Sequence, residues 1–308
     1  MKTINHAVNP NRIDPFVDWG FKYIFGREEH KDLLLGFLNH LLESEVRIKE
    51  IHYLNTELIP DSPDIKRCIV DVIATDENEN RYLIEMQNLY EQDIRQRLVY
   101  YACRLIDQMS ERNSEWHYGQ IKKVYAICLM NFTYETEDPV LRCDYQLRSA
   151  DGKRLFSDIL TVIPLQIPCV RANSPSEYRE SYEFWLFLLK SLSERMKTKE
   201  ELIAEIDSMS RFTEETKEIF RKLVNTAEED LSGDELKQYR YRREALRRAM
   251  AERRGALEQG IEQGREEGRE EGREAAFVET AKALKAEGID LSVISKCTGL
   301  SVDVIRNL

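Results

Sequence analysis

Residues 68–87 read CIVDVIATDENENRYLIEMQ. Cys68 to Thr75 and Arg81 to Gln87 are β-prone runs, and the polar stretch Asp76-Glu77-Asn78-Glu79-Asn80 between them has turn composition, so the segment predicts a hairpin. Pairing symmetric about Asn78 sets Asp71 opposite Glu85, where Cβ atoms lie roughly 4.5–5.5 Å apart. Period two puts Ile69, Ile73, Leu83 and Gln87 on the face of these acids, with Val70, Val72, Ala74, Tyr82, Ile84 and Met86 on the other. Both faces are largely apolar, so the hairpin is expected to be covered on both sides. Opposed carboxylates there repel unless one is protonated or a cation lies between them. Two readings stand: the pair holds a divalent ion of the Mg²⁺ or Mn²⁺ kind, or Asp71 lies at a strand edge and Glu85 pairs with an Arg or Lys.

Outward from the hairpin, hydrophobic spacing predicts helices over Asp18 to Phe25 and Glu29 to Glu43, joined at Gly26. A strand is expected within 46–59, followed by a turn at Pro60-Asp61-Ser62-Pro63. Beyond the hairpin come a helix within Asn88 to Arg112, with Ile94, Leu98, Tyr101, Leu105 and Met109 on one face, and a strand from Ile121 to Phe132. A further strand between Leu155 and Val170 is expected to be broken by Pro164 and Pro168. Helices then follow over Tyr178 to Arg195, Lys199 to Met209 and Glu214 to Val224, giving a mixed α/β layer fold.

From Asp234 the composition changes to a charged helix with Gly260, Gly264, Gly268 and Gly272 at every fourth position. Each glycine costs an exposed helix about 1 kcal/mol, so the stretch is expected to gain order against another helix, as a self-associating stalk. Residues 275–308 read as short helices broken at Gly288 and Thr298-Gly299, with Ser301 opening the last. The predicted organisation is a domain over 1–233, a stalk over 234–274 and a small tail, helix-turn-helix-like in outline, over 275–308. The tail balances its charges, which favours protein contact over independent DNA binding.

The chain has 308 residues, 42% hydrophobic and 33% charged, with a net charge of −11. Wholesale disorder is excluded, and no apolar run reaches the length of a membrane span. Lys237 to Arg254 carries eight basic and two acidic residues, leaving −17 for the remainder. A polyanion bound by that remainder needs a metal ion or a small arginine cluster, whereas the basic run either tracks a DNA backbone or is simply solvated. Six cysteines without C-x-x-C spacing and an N-terminus without an apolar leader point to reduced thiols in the cytoplasm. The five histidines fall at no zinc spacing, and phosphate-binding glycine loops, dinucleotide fingerprints and G-x-S-x-G are absent.

The ordered set DWGFKYIFG (18–26), NTEL (55–58), IVDV (69–72), YLIEMQ (82–87) and QRLVYY (96–101) resembles the Rpn-like PD-(D/E)XK nuclease family transposases over about residues 12–230. The resemblance implies a restriction-endonuclease-like mixed sheet flanked by helices. It also implies Mg²⁺-dependent hydrolysis of DNA phosphodiesters, promoting recombination through DNA breaks. By the same resemblance Asp71 and Glu85 are the metal ligands, and Gln87 occupies the place of the lysine in the wider superfamily's E-x-K. Glutamine offers neutral hydrogen bonds where lysine offers a charge. Asp18 matches an acidic position on the family's first helix and is read either as reaching the metal through water or as a helix cap. Lys22 is a phosphate contact or a solvated residue. Arg97 and Tyr101, one helical turn apart, either grip the scissile phosphate or serve structure, Arg97 paired with Glu91 or Asp93 and Tyr101 in the core. Glu57 is a further acidic neighbour or a strand-end salt bridge. The functional expectation is a metal-dependent DNA endonuclease that oligomerises through its C-terminal helix. The alternatives are an inactive module that binds DNA or protein through the same fold, and a ribonuclease.

Overall fold

The computed structural model describes residues 8–42, 47–58, 68–109, 116–134, 137–170, 178 and 180–308. Residues 1–244 form one compact unit and 245–308 a second.

In the first unit a six-stranded mixed sheet has the order β1 (Ile51–Tyr53), β4 (Val72–Asp76), β5 (Arg81–Gln87), β6 (Val124–Met130), β8 (Leu155–Gln166), β7 (Tyr145–Arg148). The β5–β6 and β6–β8 pairings are parallel and the others antiparallel. A separate ribbon pairs β2 (Glu57–Leu58) with β3 (Cys68–Ile69). The parallel step from β5 to β6 is bridged by α3 (Ile94–Asp107), as a parallel connection requires. Ile94, Leu98, Ala102 and Leu105 of α3 are buried against Ile73, Leu83, Val124, Ala126, Cys128 and Met130 of the sheet. The helix begins at Ile94, the first residue of the predicted apolar stripe, while Asn88 before it is taken up in loop contacts with the Phe16 carbonyl and with Asn131.

The hairpin has the expected register, Val72 opposite Ile84 through Thr75 opposite Arg81. Its loop folds around Asp76, which is buried and accepts from the amides of Asn78 and Asn80, the Asn80 side chain and the Tyr82 hydroxyl, all at 2.8–2.9 Å. Glu79 takes the left-handed conformation (φ 63°) that closes a three-residue hairpin loop. The first run is not one strand, however. It stops at Ile69 and resumes at Val72, and Val70 packs in the same cluster as Ile73 rather than on the opposite face that strict alternation assigns.

Pro164 does not interrupt β8. The amide of Gln166 points away from β6 to the Leu141 carbonyl, and period two sends the Pro164 ring the same way, beyond the end of β7 at Tyr145. Strand β7 had no sequence signal, since it is short and mostly exposed. The expected strand over 46–59 is two short pieces, β1 and β2. The turn at 60–63 and the residues Glu43 and Arg112 lie outside the described residues.

Helices α1 (Asp18–Phe25), α2 (Lys31–Leu42), α4 (Ser181–Glu194), α5 (Lys199–Ser208) and α6 (Glu214–Ala227) complete this unit. Phe25, Phe37, Trp185 and Phe220 interlock among them at 5.3–6.2 Å between ring centroids. Gly20 is forced within α1, because a Cβ there would sit 2.1 Å from the Asp14 carbonyl oxygen. Gly26 ends α1, its amide on the Lys22 carbonyl, and lies beside Val72 of β4. Helix α7 (Gly233–Ala286) starts on this body. Tyr239 is fully buried and its hydroxyl joins the Arg12 carbonyl to the Asp14 amide, both at 2.8 Å.

In the second unit Ala281 of α7, Ile294 of α8 (Leu291–Thr298) and Ile305 of α9 (Val302–Asn307) form a small core. Asp290 caps α8 and Ser301 caps α9, and the bends fall at Gly288 and Gly299 (φ 75° and 74°). A Cβ at any of the four repeat glycines would meet nothing within 4 Å.

Because Asp76 satisfies four donors at the loop, Asp76→Ala is expected to cost about 3 kcal/mol in urea denaturation. A loss below about 1 kcal/mol would show that the turn does not set the register.

Candidate active site

Asp71 lies in the gap between β3 and β4, where the backbone no longer continues the ladder. Its carboxylate takes the place of a ladder acceptor, receiving the Met86 amide at Oδ2 (2.9 Å), while its own amide donates to Glu85 Oε1 (3.3 Å). These reciprocal bonds draw the Asp71 and Glu85 carboxyls together at the end of β4 and β5. The Gln87 side-chain amide donates to Glu85 Oε2 at 3.1 Å and fixes the orientation of that carboxyl.

From α1, Lys22 Nζ reaches Asp18 Oδ1 at 2.6 Å and Asp71 Oδ1 at 3.2 Å. Asp18 is the first residue of the helix and makes no capping bond, so its side chain serves this cluster and not the helix end. The Asp18 and Asp71 carboxyls lie within hydrogen-bond reach of each other. The sequence-predicted residues Asp18, Lys22, Asp71, Glu85 and Gln87 are thus brought together. Arg97 of α3 forms the ion pair with Glu91, and its charge also acts on Glu85. Its Nη2 is buried with no hydrogen-bond partner among the described residues. Tyr101 packs against the hydrophobic cluster beneath α3, and Glu57 lies on β2 opposite Ile69.

The electrostatics follow from burial. Desolvation, then the Asp71 charge, push Glu85 up to about 8, against the pull of Arg97. Desolvation also lifts Asp71, to about 6, although the Met86 amide and Lys22 oppose it. At Lys22 burial acts downward, but the bonds to Asp18 and Asp71 outweigh it and leave the ammonium above its ordinary value. At Asp18 burial acts upward and is outweighed by the bonds to Lys22 and Asp71, so this carboxyl is lowered. At neutral pH the cluster therefore holds a proton on the Asp71–Glu85 pair, the condition expected for two close carboxylates out of water.

The donor set suits a hard divalent cation of the Mg²⁺ kind. Two buried carboxyls converge, and the proton that burial favours on Glu85 is one that a cation can replace. Among the described residues no three His, Cys, Asp or Glu side chains form a group that could hold a metal, so Mg²⁺ here would depend on water and substrate oxygens as well. Cys128, paired with Glu85 in register on β6, is fully buried, and burial followed by the Glu85 charge pushes its thiol up and keeps it protonated. It is no ready ligand for a soft metal.

Sequence reasoning missed two features. It did not foresee that Lys22 contacts Asp71, forty-nine positions away, for which the sequence holds no signal. It also missed that Arg242 of α7, in the basic run, acts electrostatically on Asp18.

A mixed sheet with an acid at the broken strand, a second acid on the next strand and a helix crossing behind it defines the PD-(D/E)XK class of nuclease folds. The sequence matches the PD-(D/E)XK nuclease family transposases over residues 15–252, and the chain belongs to that family. No curated protein and no solved structure matches it.

Burial of Glu85 in a raised, neutral state gives a signed prediction for the protein in EDTA. Between its ordinary value of 4.5 and about 8 the unfolded chain carries the charge and the folded one does not, so stability falls as pH rises through that window. Glu85→Gln removes the penalty. Its stability gain over wild type is expected to be larger at pH 8 than at pH 5 by on the order of 3 kcal/mol in chemical denaturation. Equal gains at both pH values would contradict the assignment.

Proposed function

We propose that the chain is an endonuclease that hydrolyses DNA phosphodiester bonds with Mg²⁺, or Mn²⁺, held by Asp71 and Glu85, and that its breaks promote recombination or transposition. The observation that carries this reading is the convergence of these two buried carboxyls with Lys22 beside Asp71. Family membership supports it, since a nuclease family implies a DNA substrate. The bound ion supplies Lewis-acid activation of water and of the phosphoryl oxygen.

The chain's own residues divide the remaining work. Gln87 holds Glu85 in one orientation through Oε2. Glu85 keeps a proton while the site is unloaded and gives it up on loading. Lys22, tethered by Asp18, brings to Asp71 the positive charge that Gln87 lacks, and can stabilise charge that develops on the attacking water or the phosphate. Arg97, held by Glu91 through Nη1, contributes its positive charge to the Glu85 side of the site and so to the attraction of a phosphate. We take the site of action to be the cytoplasm, since the six cysteines lack the paired spacing of a disulfide framework.

A second reading is favoured by the same Lys22 contact. An ammonium at Asp71 can neutralise the acidic pair without a metal, leaving a module that binds DNA or protein and does not cut. Nicking of supercoiled plasmid separates the two. Wild type is expected to cut in Mg²⁺ or Mn²⁺ and not in EDTA, Asp71→Ala and Glu85→Ala to be inactive, and Lys22→Met to lose about 10²-fold or more. Folded wild type that cuts with neither ion would contradict the nuclease reading, and full activity in Lys22→Met would remove Lys22 from the chemistry.

Self-association belongs to the glycine repeat in this proposal. Its glycines leave open space on an exposed helix that also presents Leu257 and Ile261 to solvent, a surface that suits close approach of a second copy. Sedimentation of the intact chain is expected to show a dimer or larger species, reduced to monomer when all four glycines are replaced by alanine. A wild-type monomer at micromolar concentration would contradict it.

A further inference from the structure

Beside the carboxyl cluster a cleft of about 530 Å³ opens between α1 and the first turns of α7. Its lining includes Asp18 and Lys22, so it is continuous with the candidate active site, and it adds Arg27, Gln238, Tyr241 and Arg242. Both walls are rigidly placed. On one side Gly20 seats α1 against Asp14. On the other the buried Tyr239 ties α7 to the chain before α1, and Arg240 and Arg243 bind Asn11 and the Pro10 carbonyl. Half of the basic run in this part of α7 is therefore engaged in holding the helix down, while Tyr241 and Arg242 line the cleft.

The chemistry of the lining is specific. Arg27, Lys22 and Arg242 bring three cations to a cleft whose own acid is Asp18, although Arg27 is shared with Glu235. Tyr241 is 73% exposed at the rim, which leaves its ring open to stacking. Cations with an exposed ring, in a space of nucleotide size, match a phosphodiester and its base.

We propose that this cleft is a DNA subsite for the nucleotide that flanks the scissile phosphate, with Arg242 on its phosphate and Tyr241 stacked on its base. The inference rests on the nuclease reading above and extends it by assigning the start of α7 to substrate binding. Lys22 then stands at the junction, shared between the reacting centre and the subsite. The strand would run from the carboxyl cluster past Asp18 into the cleft.

Fluorescence anisotropy of a labelled single-stranded DNA oligonucleotide with the full-length protein in EDTA, paired with cleavage of the same strand in Mg²⁺, tests this. Tyr241→Ala and Arg242→Ala are each expected to weaken binding about tenfold, with the cleavage loss falling on KM. Tyr241→Phe should restore binding, and Arg242→Ala alone should lower the slope of log affinity against log salt by about one. Circular dichroism melts matching wild type establish that the variants fold. Wild type that cuts while both alanine variants bind within twofold of it, with the salt slope unchanged, would overturn the subsite and leave the nuclease reading intact. Wild type that does not bind the oligonucleotide in EDTA would overturn the subsite, and wild type that also leaves supercoiled plasmid uncut in Mg²⁺ and in Mn²⁺ would overturn the nuclease reading with it.

Discussion

Two carboxyls held side by side out of water are the constraint around which the site is built. Asp71 and Glu85 would separate by repulsion if the backbone let them. It does not, because each is bonded to the other's strand, Asp71 to the Met86 amide and Glu85 to the Asp71 amide. Those bonds exist only because the strand is interrupted at Asp71, which turns a side chain into a ladder acceptor. The energy that opposes this arrangement is offset by the hairpin turn around Asp76, by the apolar layer under α3 and by the Lys22 ammonium. Such stored repulsion is what a cation-binding or proton-holding site requires, and it is why the site costs the fold stability.

The remainder of the first unit serves to bring α1 to that point. Gly20 allows close packing on Asp14 that a side chain would forbid, Gly26 closes the helix over the Lys22 carbonyl, and the aromatic layer of Phe25, Phe37, Trp185 and Phe220 holds the helix behind them. Lys22 and Asp18 sit one turn apart on its exposed edge. The ammonium beside Asp71 thereby comes from a helix that precedes the hairpin, while the Gln87 amide on β5 bonds Glu85. Separating the charge from the strand in this way lets α1 and α7 together shape the cleft beside it.

Much of this was legible in the residues. The register of the hairpin, Val72 opposite Ile84 through Thr75 opposite Arg81, followed from loop length, because period two and a short turn leave few alternatives. The layer fold followed from the order of strand and helix signals, as did the breaks at Gly288 and Gly299. Other features had no local signal. The interruption at Asp71 replaces one backbone bond by a side-chain bond, which hydropathy does not report. Lys22 meeting Asp71 depends on how α1 packs. Arg97 carried two readings, and the structure satisfies the ion pair with Glu91 while its charge also acts on Glu85. Strand β7 is polar and short, and the seating of Tyr239 is a tertiary contact.

The central claim is that Asp71 and Glu85 together form a cation site whose occupancy displaces a proton. Calorimetric titration of the full-length protein with Mn²⁺ near pH 7, in buffers of different ionisation enthalpy, measures both stoichiometry and proton release. One ion per chain with a proton released, and loss of both in Asp71→Asn and in Glu85→Gln, is the predicted result. Binding of equal affinity in those variants, or no binding by the folded wild type, would contradict it.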